Sequence, residues 1–169
     1  MEILIIDATK DKLKCFLYKD DKVEKKFEGE LNNVFLSLDN IFDVFGNVRF
    51  IGINKGPGSF TSTRASLAYV KGYSLARKTP IVAISSFDVL KEMGKPEIVS
   101  AGRGNIFIKN GSKSSESRSN VKGYEIIHDE EFIPIELDYN IFFKIIKRKI
   151  KSREFDDPLY VLPLYIKTL

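Results

Sequence analysis

Residues Gly56 to Arg64 read Gly-Pro-Gly-Ser-Phe-Thr-Ser-Thr-Arg, set between an apolar run and a helical pattern. No other stretch limits the fold as much. The run before it, Val48 to Ile53 with Asn54 following, predicts a buried strand. The segment after it has no glycine until Gly72 and no proline until Pro80, and predicts a helix from about Thr61 to Arg77. A strand must enter a tight turn and a helix must leave it. Gly56 and Gly58 permit backbone angles closed to other residues, and Pro57 fixes one φ between them. Ser59 or Thr61 can cap the new helix by accepting a hydrogen bond from a free backbone N–H. Such a turn either binds an anion or holds its helix in one pose, and that choice decides the function.

The elements around the turn set its context. Ile3 to Ile6 predicts a strand ending at Asp7, Leu13 to Tyr18 a second and Val23 to Phe27 a third, joined by short polar turns as an antiparallel meander. Leu31 to Phe45 predicts a helix, with Leu31, Val34, Phe35, Leu38, Ile41, Phe42 and Phe45 on one face and Gly46 as a stop signal. Leu36 and Val44 lie off that stripe. The Thr61–Arg77 helix is rich in small residues, including Ala65, Ala68, Gly72 and Ala76. Glycine inside a helix costs roughly 1 kcal/mol against alanine, which predicts a packing reason for Gly72. Ile81 to Ile84 predicts a further strand and Phe87 to Met93 a short helix capped by Ser85 or Ser86.

Gly94-Lys95-Pro96 marks a boundary, dividing a first lobe, residues 1–94, from a smaller second lobe, residues 95–169. In the second, strands are expected at Glu97–Ala101, Asn105–Lys109, Val121–Ile127 and Glu131–Ile135, and a helix at Tyr139–Lys151. Gly111 to Asn120 is polar and Ser-rich and predicts a mobile loop. The apolar tail Pro158–Leu169 is expected to dock on the body.

Composition excludes several classes. One cysteine, Cys15, rules out an intrachain disulfide, and one histidine, His128, rules out a two-histidine metal site. Neither a basic leader nor an apolar run of about 18 residues is present, so a cytoplasmic setting without a membrane is expected. The net charge of +4 permits nucleic-acid contact without demanding it. The basic run Lys144–Arg153 fits either RNA phosphates or a solvated helix face.

The familiar nucleotide motifs fail on their residues. No Gly-Lys-Ser/Thr follows Gly56 or Gly58, and Thr61 stands where a dinucleotide fingerprint needs its third glycine. Asp7 could hold magnesium, but the hairpin after it, Ala8-Thr9-Lys10-Asp11-Lys12, has no glycine to let backbone approach a phosphate. Asp7 is therefore read first as a turn or capping acceptor, with Asp7 and Thr9 kept as candidate nucleotide or metal contacts. Gly56, Pro57, Gly58, Ser59, Phe60 and Thr61 form the structural turn, with anion binding as the alternative.

These residues carry a resemblance. Gly56-Pro57-Gly58-Ser59-Phe60-Thr61, with Ile6-Asp7-Ala8-Thr9, Pro80 to Ser86 and Pro163-Leu164-Tyr165-Ile166-Lys167, is similar to the TsaB (YeaZ) family, chiefly over residues 1–94. The resemblance implies an α/β, actin-like, sugar-kinase-like (ribonuclease H-like) fold of two lobes. It implies a non-catalytic subunit of the complex that adds threonylcarbamoyl to adenosine beside the anticodon of transfer RNA. That subunit pairs with TsaD, which bears the catalytic metal and its histidines, while the ATPase TsaE joins the larger assembly. ATP and metal are then expected on the partner subunits and no strongly bound cofactor on this chain. Alone, the chain could pair with itself.

The implied interface is the helix pair: Leu31, Phe35, Leu36, Leu38 and Phe42 from the first, Thr61, Arg64, Ala65, Ala68, Tyr69, Gly72 and Ala76 from the second. The chain departs from the family's pattern at Ser62 and Thr63, where glycine and a leucine-like residue are usual. It departs again at Ser100-Ala101-Gly102-Arg103, which lacks an aspartate, and at Lys167, where arginine is usual. It is also short, implying a trimmed second lobe. The rival reading is a stand-alone ATPase or small-molecule kinase of the same fold.

Overall fold

A computed structural model of the chain describes residues 1–102, 105–109, 119–121, 124–164 and 166. Strands β1 (Glu2–Asp7), β2 (Lys12–Lys19) and β3 (Lys22–Glu30) form the expected meander. A 3₁₀ turn (Leu31–Asn33) leads into α1 (Val34–Phe45), followed by β4 (Phe50–Asn54), α2 (Phe60–Arg77), β5 (Ile81–Ile84) and α3 (Ser86–Glu92). The strands align in the order β3-β2-β1-β4-β5, with β1 antiparallel to β2 and parallel to β4.

Alternation along β1 makes this sheet two-faced. Leu4 and Ile6 point to one side with Cys15, Leu17, Ile51, Ile53 and Ile81, and there they meet Val34, Leu38, Ile41 and Phe42 of α1 and Leu67 and Val70 of α2. Ile3 and Ile5 point to the other side, against Phe87, Val89 and Leu90 of α3. Each such aliphatic side chain, fully buried, contributes about 1.5–3 kcal/mol of transfer free energy.

Strands β6 (Ile98–Gly102), β7 (Asn105–Lys109), β8 (Ser119–Val121) and β9 (Tyr124–His128) form a second sheet in the order β6-β7-β9-β8. Helix α4 (Tyr139–Lys151) packs Phe142, Phe143, Ile145 and Ile146 into the same core as Ile3 and Ile5 of the first sheet. Tyr18 stacks on Phe143 at 4.1 Å between ring centroids.

Four expectations need correction. The strand expected at Val121–Ile127 is two antiparallel strands, β8 ending at Val121 and β9 starting at Tyr124, and β8 takes in Ser119 and Asn120 of the expected mobile loop. Val23–Phe27 extends to the nine-residue β3, because most of the polar residues around it lie on an exposed edge strand. Helix α1 starts three residues after Leu31, where the Asn33 side chain accepts from the Leu36 N–H at 3.3 Å. Glu131–Ile135 is no strand: Pro134 has no N–H for a ladder, Ile133 faces solvent, and the Ile135 carbonyl is taken by the Lys10 amine at 2.7 Å. Of the proposed mobile loop, residues 111–118 lie outside the described residues, as do Arg103, Tyr165 and Lys167. The tail docks through Val161, with the Leu164 N–H donating to the Lys55 carbonyl at 2.7 Å, but Leu159, Tyr160 and Leu162 stay exposed. No described helix is long and apolar enough to cross a membrane.

Candidate functional site

The Gly56–Thr61 turn clasps the β1–β2 hairpin. Gly56 sits at φ 102°, a left-handed conformation that favours glycine. Gly58 lies so close to Thr9 that a Cβ would overlap the Thr9 carbonyl. The Ser59 N–H donates to that same carbonyl at 2.6 Å. Behind the turn, the buried Asn54 side chain accepts from the Gly56 N–H at 3.0 Å and donates to the Ser86 hydroxyl at 3.0 Å and the Thr9 hydroxyl at 3.4 Å. The Ser86 N–H donates to the Gly56 carbonyl at 2.9 Å. These bonds lock hairpin, turn and α3 into one unit.

Ser59 occupies the position before α2, but its side chain makes no cap. Its hydroxyl bonds the Ser62 hydroxyl at 3.1 Å instead. The anion alternative loses the Ser59 N–H, which is spent on Thr9. Ser62 and Thr63, the two departures from the family pattern, are both buried, and the Thr63 hydroxyl has no hydrogen-bond partner among the described residues.

Asp7 is buried at the end of β1, and both carboxylate oxygens are engaged. Oδ1 accepts from the Thr9 N–H at 2.9 Å and the Thr9 hydroxyl at 2.6 Å, and Oδ2 accepts from the Tyr139 hydroxyl at 3.0 Å. Burial, with the adjacent Asp7 charge, pushes the Tyr139 phenol well above its ordinary pKa, so it remains a donor. Sequence reasoning missed Tyr139: it stands 132 residues from Asp7, and no local pattern links them. Among the described residues no group of three or more His, Cys, Asp or Glu could hold a metal ion. His128 is exposed, its Nε2 3.5 Å from Glu130.

A cleft of about 640 Å³ opens beside the clasp, lined by Thr9 and Lys10 of the hairpin, Ser59, Phe60 and Thr61 at the start of α2, and Glu136. The structure thus brings the predicted turn residues and Thr9 together, while Asp7 lies buried behind them. Desolvation lowers the pKa of the Lys10 amine.

The predicted interface residues divide into two groups. Leu38 and Phe42 are buried beneath the helices, at 0 % and 5 % exposure, so they hold α1 on the sheet and cannot touch a partner. This corrects their assignment: with Val34 and Ile41 they form the core face of α1. Phe35 and Leu36, 51 % and 54 % exposed, do face outward. On α2, Thr61, Arg64, Ala68, Gly72 and Ala76 are exposed, while Ala65 and Tyr69, like Leu31, are half-buried.

Tyr69 joins the two helices. Its ring centroid lies 6.0 Å from that of Phe35 and 5.7 Å from that of Phe42, and its hydroxyl donates to Asp39 at 2.9 Å. Among the described residues nothing within 4 Å would meet a Cβ on Gly72, so none of them supplies the packing reason expected for it. Leu75, half-exposed one turn beyond Gly72, extends the same face and was missed; its i+3 spacing was the available signal. Phe60, 58 % exposed, stands at the start of α2, with the Arg64 guanidinium 4.9 Å from its ring centroid.

A family model described as "TsaD: tRNA N6-adenosine threonylcarbamoyltransferase" matches residues 43–153. The chain is 24% identical over 98 residues to the tRNA threonylcarbamoyladenosine biosynthesis protein TsaB of Buchnera aphidicola subsp. Acyrthosiphon pisum (strain APS); that match spans 53% of this chain and 44% of the relative's length. The fold matches YeaZ from Pseudomonas aeruginosa with a TM-score of 0.66 at 12% identity, covering 98% of this chain and 99% of that one. A crystal structure of an uncharacterized protein with similarity to peptidase YEAZ from the same organism matches with a TM-score of 0.66 at 15% identity, over the same shares. The mixed sheet with helices on both faces is accordingly the actin-like, ribonuclease H-like α/β fold.

Proposed function

Since the chain belongs to the tRNA N6-adenosine threonylcarbamoyltransferase family, on its TsaB/YeaZ side, we propose that it acts in threonylcarbamoyladenosine synthesis on transfer RNA as a non-catalytic subunit, pairing with a TsaD-type subunit through the outer face of α1 and α2. The observation that carries this reading is the open surface at Gly72. An exposed mid-helix glycine costs α2 stability, and no described residue packs against the space its missing side chain leaves. Close approach of another helix gives it a use. Phe35 and Leu36 on α1, with Phe60 and Leu75 on α2, add exposed apolar area of the kind that marks an interaction site.

The state of Asp7 supports the non-catalytic half of the proposal. A magnesium-holding carboxylate needs free lone pairs toward the cleft, whereas Asp7 is buried with both oxygens engaged by Thr9 and Tyr139. The lone, exposed His128 cannot supply a histidine pair. TsaE, ATP and the catalytic metal then belong to the larger assembly. Co-purification tests the proposal: tagged TsaD-type subunit should retain the wild-type chain and lose the Ala68→Glu variant, with folding verified by circular dichroism. Equal retention of both would overturn the interface. Magnesium-ATP binding by the isolated chain, abolished in Asp7→Ala, would favour a stand-alone ATPase instead.

A further inference from the structure

The exposed face of α4 lies on a different element from the partner face. Residues 139–153 contain six lysines and arginines and no acid; without those six the formal charge of the chain falls from +4 to −2. Lys144, Lys147, Arg148 and Lys151 recur at three- and four-residue spacing, which places them along one stripe of the helix. The stripe spans about 10 Å, at 1.5 Å per residue. A shallow depression of about 350 Å³ on this face is lined by these four cations and Ser152.

Two of the cations are paired, Lys147 with Asp21 and Arg148 with both oxygens of Glu92 at 3.0 and 3.1 Å. Such exposed pairs contribute about 0–1 kcal/mol and exchange readily for another anion. Lys144 and Lys151 are exposed and make no ion pair with any described residue. Cations suit a helix C-terminus, but that effect fades within the last turn and Lys144 stands about two turns before it.

We propose that the Lys144–Lys147–Arg148–Lys151 stripe of α4 is a contact surface for the phosphate backbone of RNA. The lining of the depression decides the kind of partner. A bilayer-bound helix needs a free apolar face, and that of α4 is spent on the core through Phe142, Phe143, Ile145 and Ile146. Interfaces with folded proteins centre on buried anchor side chains, and no aromatic or aliphatic residue lines the depression. A line of phosphates needs cations alone. The choice of transfer RNA as the RNA rests on the proposed function.

The test is a salt titration of the isolated chain with an unmodified transfer RNA transcript, read by fluorescence anisotropy. Lys144→Glu with Lys151→Glu should weaken binding about tenfold at 50 mM salt and reduce the slope of log affinity against log salt by about 1.4–1.8, for two lost contacts. Lys144→Arg with Lys151→Arg should bind as the wild type does. Circular dichroism of both variants verifies folding. Unchanged affinity and slope in the Glu variant would overturn the inference, as would wild-type binding to anionic phosphatidylglycerol vesicles without binding to the transcript. Pairing with the TsaD-type subunit is measured separately. Intact pairing with unaltered RNA binding would remove this inference and leave the proposed function standing.

Discussion

The Ser59 N–H reaches back to the carbonyl of Thr9 at 2.6 Å, tying the start of α2 to the hairpin that follows β1. The glycine next to it makes that distance possible. The most sequence-specific turn in the chain therefore closes on its own hairpin, and the helix it launches is held in one direction.

Gly58→Ala should destabilise the chain by about 3 kcal/mol, because the new methyl meets backbone that cannot swing aside. Gly72→Ala should instead stabilise it by up to about 1 kcal/mol, since its site is helical and open. Urea unfolding midpoints measure both. A neutral Gly58→Ala would mean that the clasp is not rigid.

Asp7→Ala should cost about 3 kcal/mol in the same measurement, leaving the Thr9 N–H, the Thr9 hydroxyl and the Tyr139 hydroxyl without their acceptor. Tyr139→Phe should cost about 1.5 kcal/mol. A carboxylate kept for a ligand rather than for the fold would behave in the opposite way, and a rise in stability on Asp7→Ala would count against the account.

The alkaline limb of stability should report on Tyr18. Burial pushes its phenol up to about 12, from an ordinary value near 10, while its hydroxyl donates to the Tyr139 carbonyl at 3.1 Å. Between those values the folded chain holds a proton that the unfolded chain has released. The contribution of Tyr18 is thus fully present below pH 10 and is lost as pH rises through 12, at most about 2 kcal/mol of it. Urea midpoints at pH 8 and pH 11.5 measure the loss, and Tyr18→Phe should reduce it, the remainder belonging to Tyr139 and Tyr69, whose phenols are also raised, chiefly by burial. An equally steep loss in the variant would assign it to other groups.

Much of the first sheet was legible because its signals are local. The apolar alternation of β1 and β2, the Gly46 stop after α1, and the Gly-Pro-Gly turn each act within a few residues. The candidate site was legible in position but not in role. The family resemblance pointed to α1 and α2, yet helical spacing alone could not tell that Leu38 and Phe42 face the sheet while Phe35 and Leu36 face solvent. The third donor to Asp7 could not be read at all, since Tyr139 arrives from a distant helix through tertiary packing. Glu131–Ile135 misled because its apolar spacing resembles a strand, while Pro134 breaks the ladder and Lys10 takes a carbonyl.

The central claim is that the outer face of α1 and α2 binds a homologous subunit. Solution mass by light scattering, of the chain mixed with a TsaD-type subunit, tests it most directly when repeated with Gly72→Arg. Gly72 is exposed with nothing within 4 Å of a would-be Cβ, so the arginine leaves the folded chain intact while projecting from the face. The account predicts a heterodimer mass for the wild type and separate subunit masses for Gly72→Arg. A heterodimer in both mixtures would contradict it.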